Sequence, residues 1–118
     1  MKDRQHPRVA VDRHVPCETV GTRAPVFMYD LSIGGCMFEV DEISLQVGQE
    51  VTVTLATSLQ PAVVVWAIGE CVGVRFCNEL HAAIVEHYGF KPSVVEFDEL
   101  SPRDRFGRLL PPLAKHCA

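Results

Sequence analysis

The chain has 118 residues, of which 47% are hydrophobic and 22% charged, with 8 Gly, 8 Pro and a formal net charge of −4. That is the size and composition of one globular domain, so a second full domain is excluded and the core needs neither a disulfide nor a metal to hold it. The opening Met1-Lys2-Asp3-Arg4 has no apolar run behind its charges, and the stretch from Ala62 to Ile68 falls far short of a membrane helix, so a cytoplasmic protein without membrane insertion is expected.

In chain order, strand signals come first. Val9-Ala10-Val11 leads on to Val15 and Cys17, followed by Val26 to Tyr29, Cys36 to Val40, Val51 to Leu55, Val63 to Ile68 and Val72 to Phe76. Gly34-Gly35, Val47-Gly48-Gln49, the stretch from Ser58 to Pro61 and Gly69-Glu70 read as the turns between them. Short strands at this spacing suggest a meandering all-β barrel or sandwich, with Ile68-Gly69-Glu70-Cys71 as a tight hairpin. After Phe76 the period changes: Asn78 is placed to cap a short helix carrying Leu80, Ala83, Ile84 and Tyr88, and Gly89 ends it. Residues 101–118 hold Pro102, Pro111, Pro112 and the cluster Arg103, Arg105, Arg108, and read as a basic tail with little structure of its own. Its Phe106, Leu109, Leu110 and Leu113 are available to dock on another surface.

Two short patterns carry possible chemistry. In Arg4-Gln5-His6-Pro7-Arg8, two arginines stand four apart just before the first strand. The guanidinium fork holds a phosphate bidentately, pairs with the O6 and N7 edge of guanine and stacks on a purine. Alone, such a pair near a terminus is more often solvated charge. In Asp30-Leu31-Ser32-Ile33-Gly34-Gly35, Asp and Ser favour turns by bonding nearby backbone, so a tight connection explains the pattern. The functional alternative has Asp30 accepting from guanine N–H groups and Ser32 offering its hydroxyl.

Taken together and in this order, the two patterns resemble those of the PilZ domain family, bacterial receptors for cyclic di-GMP. Arg4 and Arg8 match its Arg-x-x-x-Arg motif, and Asp30, Ser32 and Gly35 match its Asp/Asn-x-Ser-x-x-Gly motif. The resemblance runs on through Val47-Gly48-Gln49-Glu50 and Val72-Gly73-Val74-Arg75-Phe76 and spans about residues 3–98. It implies a mainly all-β fold, a six-stranded antiparallel β-barrel with a short C-terminal helix, over residues 1–100. Residues 1–8 would be a flexible arginine arm and 101–118 a tail. Arg4, Arg8, Asp30, Ser32 and Gly35 would form the cyclic di-GMP site, with no catalytic residue, no metal and no cofactor. The signal would pass to an unidentified protein partner. Asp3, beside the first motif arginine, sets a carboxylate near the phosphates and bears on affinity and stoichiometry.

Other constellations weigh less. Cys71, Cys77, His81 and His87 lack the spacing of a zinc site, and no base is placed beside any of the thiols, which read as small apolar residues. Trp66, in an apolar run, reads as core. Residues 1–35 carry a net +1, residues 36–100 a net −8 and residues 101–118 a net +3, and so acidic a body argues against DNA or RNA as a partner. The competing function is a barrel of the same type that does not bind nucleotide and acts only through protein contacts.

Overall fold

The structure is a computed structural model and describes residues 8–89, 91–92, 102–106, 108 and 110. Arg4 and Asp3 of the arm, and Leu109, Leu113 and Cys117 of the tail, lie outside the described residues. Six antiparallel strands form a closed barrel: β1 (Val9–Thr19), β2 (Thr22–Leu31), β3 (Gly35–Glu39), β4 (Glu50–Leu55), β5 (Ser58–Ile68) and β6 (Cys71–Phe76). One helix, α1 (Ala82–Tyr88), and a two-residue strand, β7 (Lys91–Pro92), follow.

The order around the barrel corrects a simple meander. β1, β2 and β3 pair in sequence, as do β4, β5 and β6, but the closure joins β3 to β6 and β4 to β1. The connection from β3 to β4 therefore crosses the barrel, and it carries Ile43 and Leu45 into the core on the way.

Alternation explains the inside. Val15 and Cys17 of β1, Ala24, Val26 and Met28 of β2, and Cys36 and Phe38 of β3 point inward, two residues apart along each strand, and are buried, and Val11 joins them beside a register break between Ala10 and Arg13. Burial pushes the Cys17 thiol up to about 11 and Cys36 well above the ordinary thiol value, so both stay protonated. Cys71 is buried as well, whereas Cys77 is exposed.

Two boundaries differ from the sequence reading. The stretch from Ser58 to Pro61 belongs to β5 and pairs with β4, where Thr52 faces Pro61 and Leu55 faces Ser58. The turn lies at Ala56, which takes a left-handed φ of 57° and donates its N–H to the Tyr88 hydroxyl. The helix is capped by His81 rather than Asn78: the His81 Nδ1 accepts from the Ala83 N–H at 3.1 Å. Leu80, buried ahead of the helix, is anchored by its N–H to the Ile33 carbonyl at 2.8 Å, which delays the first helical turn. Gly89 ends the helix as expected, its N–H on the Val85 carbonyl at 3.0 Å. A Cβ there would come within 2.5 Å of Val9 Cγ2, so the helix end presses directly on the start of β1.

Candidate functional site

The outer face of the barrel is built by two breaks in alternation. In β2, Met28 faces Phe38 and Asp30 faces Met37, so Tyr29 is the extra residue of a bulge. Met28 and Leu31 remain inside, while Tyr29 and Met37 belong to a second buried cluster, with Trp66 and Cys71, on the outside. Cross-strand partners share a face, so Asp30 stands outside with Met37. In β5, Val64 faces Val74 and Trp66 faces Gly73, which makes Val65 the extra residue and turns Trp66 outward. One continuous row of partners thus crosses the outer face: Ala10, Asp30, Met37, Gly73 and Trp66. Trp66 was read as core; it is buried, but on the outside of the barrel, lying over Gly73. A Cβ at Gly73 would stand 2.2 Å from Trp66 Nε1, so only glycine admits this indole.

The motif residues collect at one end of that row. Val9 faces Leu31 and Ala10 faces Asp30, so Arg8, one residue earlier, falls opposite Ser32 and on the same face as Ala10 and Asp30. Arg8 and Asp30 are each 7% exposed and Ser32 1%. The Ser32 hydroxyl ties the turn, accepting from the Gly34 N–H at 3.1 Å and donating to the Gly35 carbonyl at 3.4 Å, while the Ser32 N–H reaches the same carbonyl at 2.9 Å. Ser32 therefore serves the tight connection, and it presents Asp30 from a rigid base. Gly35 opens β3 and faces Arg75, an exposed cation on the closing strand.

A residue that sequence reasoning passed over completes the cluster. Arg103 is 1% exposed, among the most buried side chains of the molecule. The Tyr29 hydroxyl donates to the Arg103 carbonyl at 2.5 Å, and the charges of Arg8 and Asp30 both act on the Arg103 guanidinium. Burial, then the neighbouring Arg8, push Arg103 down to about 10, against the opposite pull of Asp30 and Tyr29. It still carries its charge at neutral pH. Burial, reinforced by Cys71, holds the Tyr29 phenol far above its ordinary range, so Tyr29 is a fixed donor.

The segment around Arg103 is folded, where a tail of little structure was expected. Asp104 accepts from the backbone N–H groups of Phe106 at 2.9 Å and Arg108 at 3.1 Å, and its carboxylate meets the Arg108 guanidinium at 2.8 Å. The Asp104 N–H reaches the Arg108 carbonyl at 2.9 Å and the Leu110 N–H the Pro102 carbonyl at 3.1 Å, closing a small hairpin. Leu110 packs against the outer cluster, and Arg105 lies 5.2 Å over the Phe27 ring and 3.5 Å from Glu39 Oε1. Phe106, at the tip, stays 72% exposed. No local sequence signal marks Arg103. The isolated Gly73 in a strand and the three-residue step from Met28 to Leu31 do signal a close approach and a bulge.

Among the described residues the arrangement offers the buried guanidiniums of Arg8 and Arg103 and the Asp30 carboxylate beside an apolar, aromatic face, a set suited to a flat anionic ligand with N–H donors. The family model of the PilZ domain matches residues 2–90. The search of curated proteins finds no match.

Proposed function

The chain belongs to the PilZ domain family, and we propose that it is a receptor for cyclic di-GMP that acts by binding, with no bond made or broken. The observation that carries the reading is that Arg8, Asp30 and Ser32, the residues whose spacing resembles the family's motifs, are brought to one face of the barrel by the register that sets Val9 against Leu31 and Ala10 against Asp30. In this reading Arg8 and Arg4 hold the phosphates and the outer edges of the guanines. The Asp30 carboxylate accepts from guanine N1–H and the exocyclic amine, and Gly35 lets the flat ligand approach the backbone. The ligand reshapes the outer face, and a protein partner reads the change. Long nucleic acids are disfavoured by the acidic body, which carries a net −8 over residues 36–100. The described residues contain no helix long and apolar enough to cross a membrane.

Calorimetry with cyclic di-GMP at physiological salt tests this, with GTP as control. Truncating one side of a buried charge-assisted contact costs roughly 2–5 kcal/mol, so Arg8→Ala is expected to bind at least about tenfold more weakly. Equal affinities for the variant and the parent would remove Arg8 from the site. No binding by either protein would favour an adapter that works through protein contacts alone.

A further inference from the structure

Asp30 cannot receive a guanine in the arrangement described. A carboxylate must come within hydrogen-bond distance of the base's N–H groups, yet Asp30 is 7% exposed and Ser32 beside it 1%. The 102–110 segment lies over the same face: the Tyr29 hydroxyl donates to the Arg103 carbonyl, the Arg103 side chain is buried close to Asp30 and Arg8, and Leu110 packs on the cluster of Tyr29, Met37 and Trp66. The group delivered toward Asp30 is chemically apt. A guanidinium offers a carboxylate two parallel N–H donors from a flat frame, as the N1–H and N2–H edge of guanine does.

We propose that Arg103 is an internal stand-in for guanine, so that the 102–110 hairpin and the nucleotide exclude one another from the outer face of the barrel. The inference rests on the receptor reading above and adds its regulation. The hairpin is built to leave as a unit. Its bonds between Asp104 and Arg108 and between Leu110 and Pro102 are internal, so they survive departure, and its Phe106 tip is not packed on the barrel. Its docking also brings the like charges of Arg103 and Arg8 close together in a nearly buried site. An incoming phosphodiester offers negative charge to Arg8 and a neutral donor edge to Asp30 in place of the Arg103 cation, which removes that repulsion. Binding then exposes Trp66, the only tryptophan in the chain.

A seated competitor lowers apparent affinity by the fraction of molecules in which the site is open. Arg103→Gln is therefore expected to bind cyclic di-GMP about tenfold more tightly than the parent, if the hairpin is docked in about nine molecules of ten. Tyr29→Phe, which keeps the ring and loses only the donor to Arg103, is expected to shift affinity the same way by about threefold, in line with the ~0.5–1.5 kcal/mol of one hydrogen bond. Saturating the parent with ligand should speed amide exchange over residues 102–106 and shift Trp66 emission to the red, and Arg103→Gln should show the red shift before ligand is added. A parent that does not bind beside an Arg103→Gln protein that does would support the stand-in most directly. Binding by the parent with equal or weaker binding by both variants would overturn the stand-in and leave the receptor reading intact. Absence of binding in all three proteins would overturn both.

Discussion

The two faces of the barrel wall obey different rules. The inner face is a layer of apolar side chains, for the most part at alternate positions of the strands, and among the described residues it is supplied from within residues 9–88. The outer face of β2, β3, β6 and β5 carries Tyr29, Asp30, Met37 and Trp66, reached by two bulges, and it is covered by a hairpin that begins about seventy positions downstream of Tyr29. One face is a core that local period specifies. The other is a surface whose burial depends on a distant segment, and that dependence makes it a candidate for control.

The comparison breaks most sharply at Phe38. This side chain is fully buried in the inner cluster, so Phe38→Ala is expected to cost about 3–5 kcal/mol in denaturant unfolding while leaving Trp66 emission of the folded protein unchanged. A variant that shifted the emission would show that the two faces are coupled. Gly73→Ala attacks the outer face instead. The new Cβ would overlap the Trp66 indole, so a loss of about 1–3 kcal/mol is expected together with a red shift as the indole lifts. An unchanged spectrum would mean that the indole does not lie across Gly73.

The smallest effect concerns the hairpin alone. Burial works against the Asp104 carboxylate, but the backbone N–H groups of Arg108 and Phe106 and the Arg108 guanidinium hold its pKa below the ordinary 3.8. The unfolded hairpin thus binds its proton first as pH falls, so the stabilisation from Asp104 is complete above about 3.8 and is lost as pH drops through the lower folded value. Exchange over residues 102–106 is expected to rise in that acid window in the parent and to show no such step in Asp104→Asn. An identical acid profile in the two proteins would assign the change to another group.

Much of the fold was legible because it rests on short-range periodicity. Alternation located six strands, and Gly69, with a φ of 60°, marked the hairpin in which Ile68 faces Cys71. Errors fell where local chemistry had two solutions. Ser58 to Pro61 has turn composition but pairs along β4, and Ala56, an ordinary residue by sequence, takes the turn. Asn78 is a good cap in isolation, yet the anchoring of Leu80 to Ile33 moved the helix start to His81. Arg8, Asp30 and Ser32 stand out in the sequence by their spacing, and the register that sets Val9 against Leu31 makes them neighbours on one face.

By itself, then, the sequence determined the strands, the helix and its Gly89 stop, the inward layer and the two motifs, since each depends on residues a few positions apart. The tertiary structure alone decided the closure of β3 on β6, the outward turn of Tyr29 and Trp66, and the burial of Arg103 beside Asp30 and Arg8. Those features join residues dozens of positions apart. Their energies come from packing, desolvation and charge between groups that no local pattern relates, so they exist only once the barrel has closed and presents a face for the hairpin to cover.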